Sequence, residues 1–152
     1  MATVAWFGKG TKLQRDTGAG SAFTDIANIT SISGPSATSD QIDITSHNTT
    51  TRFRETIGGL QDGGEVNASV NYDPTVVYNS GDPTTDSTGH NRLMQDLEDG
   101  TEDNYKIIFP DSSNHEVLFP GVVSSVSLNS PIDGVHTMDI TIKIVGTITW
   151  PT

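Results

Sequence analysis

The chain has 152 residues, a hydrophobic share of 33%, no cysteine, and 8 Lys and Arg against 19 Asp and Glu, a formal charge of -11. That length suits one domain with a real core, and the missing cysteine excludes disulfides, thiolate metal sites and cysteine nucleophiles. The acidic balance excludes tight reading of nucleic acid, which needs cations against phosphate, but leaves open DNA that passes without being gripped.

Thr, Ser, Asn, Asp and Gly fill the place of apolar residues, a mixture that favours strands joined by turns. No apolar run approaches a membrane span, and the start MATVAWFGKG lacks a signal-peptide stretch, so the expectation is a protein made and kept in a cytoplasm. The sequons at Asn28, Asn48 and Asn67 then carry no weight.

Residues 1–22 hold few apolar side chains and several glycines, and read as an N-terminal arm with a short strand at Val4–Phe7. Residues 23–152 read as a single domain. IANITSI (26–32) is a first strand, ended by Gly34-Pro35. QIDIT (41–45) alternates, with Ile42 and Ile44 on the apolar face and Gln41, Asp43 and Thr45 on the wet one. A long polar loop is expected over 45–65. EVNASVNY (65–72) alternates again, with Asn67, Ser69 and Asn71 on the wet face, which is the pattern of an antiparallel sheet with one solvated side. After Asp73-Pro74 comes another loop, then one helix over 88–99. Ser87 or Thr88 caps it, Leu93, Met94 and Leu97 form its stripe, and Gly100 stops it. YKIIF (105–109) is a strand. Residues 116–119 and 122–128 are a pair of strands or one bent strand. MDITIKIV (138–145) is the strongest strand, with Met138, Ile140, Ile142 and Ile144 inward. Strands with a single helix predict a mainly β, antiparallel sandwich or barrel with one flanking α-helix.

No catalytic constellation emerges. His47, His90, His115 and His136 show no metal-ligand spacing and read as surface histidines. Asp96, Glu98, Asp99, Glu102 and Asp103 do not match a calcium loop and read as a solvated helix end. Asp82 and Asp86 read as plain loop. There is no nucleophile elbow and no P-loop, and Gly58-Gly59 and Gly63-Gly64 read as hinges or turn points. The expectation is a protein that is not an enzyme, with no cofactor and no metal.

RFR remains. Arg52, Phe53 and Arg54, followed by Glu55, interrupt a run of Thr, Ser and Asn. Arginine and aromatic side chains carry interface energy, and two cations in so acidic a chain suit a neighbour's carboxylates. The segment reads as an assembly loop. A carbohydrate- or receptor-binding β-sandwich is the alternative, but its aromatic candidates (Trp6, Phe53, Tyr78, Trp150) are scattered.

The ordered stretch TSHNTTTRFRETIGGLQDGGEVNASVNYDP, then RLMQDLEDG, NYKIIFPD and FPGVVSSVSLNSPIDGVHTMDITIKIVGTI, resembles the lambda-type phage tail tube proteins over about residues 24–148. The 73–88 loop is longer and richer in Asp, Ser and Thr than that family suggests, and the extra C-terminal immunoglobulin-like domain of some members is expected to be missing. The resemblance implies the tail tube fold, shared with the type VI secretion tube protein, which is a further alternative. It implies a structural subunit of the virion, made in the bacterial cytoplasm, that forms hexameric rings stacked into a conduit for double-stranded DNA. It also implies tape-measure and tail terminator or initiator proteins as partners, with no membrane. Arg52, Phe53, Arg54 and Glu55 would then dock on an adjacent subunit or ring, Trp6 and Phe7 of the arm would touch a neighbour, and Gln41, Asp43, Asn67, Ser69 and Asn71 would face the lumen.

Overall fold

The computed structural model describes residues 8–16, 23–26, 28–74 and 90–152, the side chains of His90 and Asn91 excepted. The expected strand at Val4–Phe7, the arm residues Trp6 and Phe7, the caps Ser87 and Thr88, Tyr78, and the Asp82 and Asp86 loop lie outside the described residues.

Among the described residues nine strands and one helix follow in chain order: β1 Lys12–Asp16, β2 Phe23–Asp25, β3 Ile29–Ser33, β4 Thr38–Asp43, β5 Thr56–Asp62, β6 Glu65–Asn71, α1 His90–Asp99, β7 Glu102–Ile108, β8 Glu116–Asn129 and β9 Thr137–Ile144. Seven strands form one antiparallel sheet in the order β2-β1-β7-β8-β9-β6-β3, and β4 pairs only with β5. The mainly β, antiparallel prediction with one helix holds.

The core grows from period-two alternation. Val66, Ala68 and Val70 of β6 meet Met138, Ile140 and Ile142 of β9, and Tyr105 and Ile107 of β7 meet Phe119 and Val117 of β8, all buried. Tyr105 stacks on Phe119 with ring centroids 6.1 Å apart. Leu93 carries α1 onto this core, and each such fully buried side chain contributes about 1.5–3 kcal/mol. β8 is one bent strand. Its register shifts between Val123 and Ser125, so Val117, Phe119 and Val123 point inward before the bulge and Val126 after it. Gly100, at φ 63, ends α1 as expected.

Four expectations change. Residues 12–16, assigned above to the arm, form β1 with Leu13 fully buried. The alternation there is masked because Arg15, on the same side as Leu13, takes a core position. The 45–65 loop is shorter, since Thr56–Asp62 is β5 and only residues 44–55 connect the two hairpin strands. Accordingly Gly58 and Gly59 are strand residues and not hinges, while Gly64, at φ 70, sits in the β5–β6 turn. Ile42 and Ile44 do not face the core. Each is 52% exposed, because β4 leads into a two-stranded ribbon that has no second layer behind it among the described residues. Finally, Asp96 is not solvated. It is fully buried.

Candidate assembly surfaces

Asp96 shows how the helix is fastened. Arg15 Nε and Nη2 donate to its two carboxylate oxygens at 2.6 and 3.0 Å, and Arg92 Nε donates at 3.1 Å from one helical turn away. Arg15 Nη2 also reaches Asp103 at 2.7 Å, and its Nη1 reaches the Asp16 carbonyl at 3.1 Å. Burial pushes the Asp96 carboxyl up, against the pull of Arg15. Burial likewise raises the Tyr105 hydroxyl. The cluster joins β1, β7 and α1 and acts as a structural clamp. Sequence gave one clue to it, the Arg92 to Asp96 spacing on one helical face, but no clue to Arg15, which is 81 residues away.

The β4–β5 hairpin is the first surface. Hydrogen bonds set its closed end: Ile44 N–H donates to the Glu55 carbonyl at 2.9 Å and Glu55 N–H to the Thr45 hydroxyl at 2.9 Å. Beyond them Phe53 is 81% exposed at the tip, between Arg52 and Arg54. Among the described residues Arg54 is held only by a 3.9 Å approach to Asp43. Along the ribbon Ile42, Ile44, Ile57 and Leu60 are all more than half exposed. Two strands alone are marginal in water, and this many uncovered apolar side chains make the ribbon a candidate contact surface.

The second surface is the solvent face of β3, β6, β9 and the far half of β8. The register lines up residues in rows across the strands. One row reads Ser127, Asp139, Ser69, Ser31; the next reads Ser125, Thr141, Asn67, Ser33; a third reads Asn129, Thr137, Asn71. All are small and polar, and Asp139 is the only charge in these three rows; the next row on the same face pairs Glu65 with Lys143. The side chains bond each other: Ser69 donates to Asp139, and Thr141 donates to Asn67 Oδ1 at 2.8 Å. Three predicted residues, Asn67, Ser69 and Asn71, therefore share this face. Gln41 and Asp43 do not. They lie on the separate hairpin. Alternation alone also turns Asp139 and Thr141 outward, but their alignment with Asn67, Ser69, Ser125 and Ser127 was invisible in sequence, because register across strands leaves no mark on any one strand.

Among the described residues no three His, Asp or Glu side chains gather to hold a metal, and no helix is long and apolar enough to cross a membrane.

Residues 5–151 match the family described as lambda phage tail tube protein. The chain belongs to that family. As a lambda-type tail tube protein it is a structural subunit of the phage tail, and its place is the virion. No curated protein matches the sequence. Solved tail structures share the fold. The tail of an empty gene transfer agent particle, refined with C6 symmetry, aligns at TM-score 0.71 and 21% identity over 97% of this chain and 100% of that one. The SPP1 tail tube aligns at 0.64 and 9%, over 96% and 79%. The sheath/tube terminator of an extracellular contractile injection system aligns at 0.70 and 8%, over 100% of both chains. At these identities each likeness concerns the fold of the tail tube protein alone.

Proposed function

We propose that this tail tube protein closes into six-membered rings that stack into a hollow conduit for double-stranded DNA. The observation that carries the reading is the small polar face of β3-β6-β9-β8 together with its two open edges. Among the described residues no strand pairs the second edge of β3, and none pairs the second edge of β8 from Val123 to Asn129. Each neighbouring pair in this run is antiparallel, so β3 and β8 point opposite ways. A neighbour's β3 can then add to β8 in the same antiparallel sense, without a break in the alternation.

Six copies contribute about 24 strands, and at roughly 4.8 Å per strand the closed sheet is at least about 35 Å across. That leaves room for a duplex after side chains. The wall is Asn67, Ser69, Asn71 and the residues in register with them. Gln41 and Asp43 would sit on the hairpin, off this wall. Few charges, with the one cation, Lys143, paired to Asp62 at 2.9 Å, mean few phosphate contacts, so DNA slides instead of sticking. The C6 symmetry of the similar gene transfer agent tail supports the count of six.

The hairpin supplies the links between copies. Arg52, Phe53, Arg54 and Glu55 dock on an adjacent subunit, where the arginines offset part of the chain's self-repulsion. Trp6 and Phe7 make a second contact. The tape-measure protein occupies the lumen before DNA, and terminator or initiator proteins meet the tube ends. Negative-stain electron microscopy over a concentration series, with light scattering, tests the reading. Rings or tubes with a pore wide enough for a duplex are expected. Solid filaments without a pore would overturn it.

A further inference from the structure

A groove of about 640 Å³ runs between the β4–β5 hairpin and the C-terminal segment after β9. That segment is fixed: Leu118 and Thr149 exchange both backbone hydrogen bonds, at 3.1 and 2.8 Å, and Val145 N–H donates to the Pro120 carbonyl at 3.1 Å. Ile144 and Ile148 line the inside of the groove. Leu60, Val145 and Trp150 line it too, and are 84%, 47% and 51% exposed. Asp40 and Asp62 add carboxylates to the same lining.

We propose that this groove receives the segment Val4–Phe7 of a second copy of the chain. The proposal rests on the self-assembly argued above and gives the N-terminal contact its receiving surface. The chemistry matches. VAWF is uncharged and ends in two adjacent aromatics, which suits a wall of Leu60, Val145 and Trp150. Lys9 stands two residues after the segment, and among the described residues it has no ion pair, so it can meet Asp40 of the lining.

The point of departure matches as well. The described chain begins at Gly8, which lines a neighbouring groove of about 560 Å³ together with Gly34. Ala37, three residues past Gly34, already lines the larger groove. Gly8 therefore stands at the end of the sheet where the groove opens, and four residues of extended chain can span about 14 Å. Segment and groove are different surfaces, so their contact between copies is heterologous, the kind that closes a ring. Seating in the chain's own groove would cover the apolar wall but link nothing.

The test uses the full chain and a fluorescein-labelled peptide of residues 1–10. Saturable anisotropy is expected, at least tenfold weaker for Leu60→Asp and for a peptide with Trp6→Ala and Phe7→Ala. Leu60 is largely exposed, so that variant keeps its fold, which circular dichroism checks. No saturable binding, as own-chain seating would also give, or equal binding by Leu60→Asp, overturns the proposal. The chain has no cysteine, so the double variant Trp6→Cys/Leu60→Cys gives a second reading. Oxidation is expected to produce a ladder of linked copies; a disulfide confined to single chains, or none, contradicts it. Electron microscopy of the same samples separates the two claims. Hollow tubes without the linkage sink only the groove, whereas linkage without hollow tubes sinks the conduit.

Discussion

Arg15 and Lys12 stand three residues apart on one short strand and carry very different weight. Lys12 bridges Asp25 at 2.8 Å in a half-exposed pair, which contributes about 0.2–1 kcal/mol. Arg15 holds a fully buried carboxylate. Arg15→Ala is expected to cost about 3–5 kcal/mol in urea unfolding, because Asp96 is left buried with only Arg92 beside it, while Lys12→Ala costs under about 1 kcal/mol. Equal losses would mean that burial does not set the strength of these pairs. Gly64 is a second single-residue test. At φ 70, an added Cβ would lie 2.3 Å from the Ser36 carbonyl oxygen, so Gly64→Ala combines strain with a backbone clash. A loss of more than about 1 kcal/mol is expected in the same assay.

Protonation acts at this scale too. A hydrogen bond from Lys12 holds the Asp25 carboxyl below its ordinary value of 3.8, the Gly64 N–H and then Lys143 do the same for Asp62, and His115 does so for Asp111. For each of these the folded state binds its proton less readily than the unfolded chain. The stability they contribute is present above about pH 3.8 and lost as pH falls through the lower folded values. Asp96 has the opposite sign, because burial raises it. Its contribution favours the fold at low pH and is lost as pH rises through its folded value. Urea midpoints are expected to fall below pH 3.8, with a shallower fall for Asp25→Asn. A fall unchanged in that variant would remove Asp25 from the account.

At the scale of elements, the hairpin and the sheet separate stability from assembly. Phe53 is 81% exposed, so Phe53→Asp is expected to leave the thermal midpoint within about 2 °C, since surface changes of this kind stay within about 0.5 kcal/mol. The same change is expected to abolish growth of light scattering with concentration, as is Arg54→Glu. Unchanged scattering would make the hairpin an ordinary surface. Both strands of the hairpin show why alternation misleads. Ile42 and Ile44 alternate as cleanly as Val66, Ala68 and Val70, yet only the second set is buried. Alternation declares a two-faced strand; it does not say whether a second layer covers the apolar face. The opposite error occurs at β1, where a charge in a core position hides a strand that the sheet requires.

At the scale of the molecule the small polar face makes the sharpest claim. Asp139 lies in the middle of it, bonded to Ser69. In the proposed tube it forms a ring of negative charge in the lumen. Asp139→Lys is therefore expected to give tubes that retain duplex DNA at low salt and release it as salt rises. DNA retention no greater than that of unaltered tubes would place Asp139 outside the lumen.

The sequence by itself determined the fold class, the stronger strands, the single helix and its stop, and the segment order that resembles tail tube proteins. These rest on local rules: period-two alternation, turn residues, and glycine at the helix end. It also singled out RFR, because two cations around an aromatic stand out in an acidic chain. Only the tertiary structure decided that Thr56–Asp62 pairs back on β4 as a free ribbon, that Arg15 belongs in the core with Asp96, and that Ser31, Ser69, Asp139 and Ser127 make one row. Each of these joins residues far apart in the chain, and the register and burial that join them are fixed by packing and long-range pairing, on which the local pattern of residues is silent.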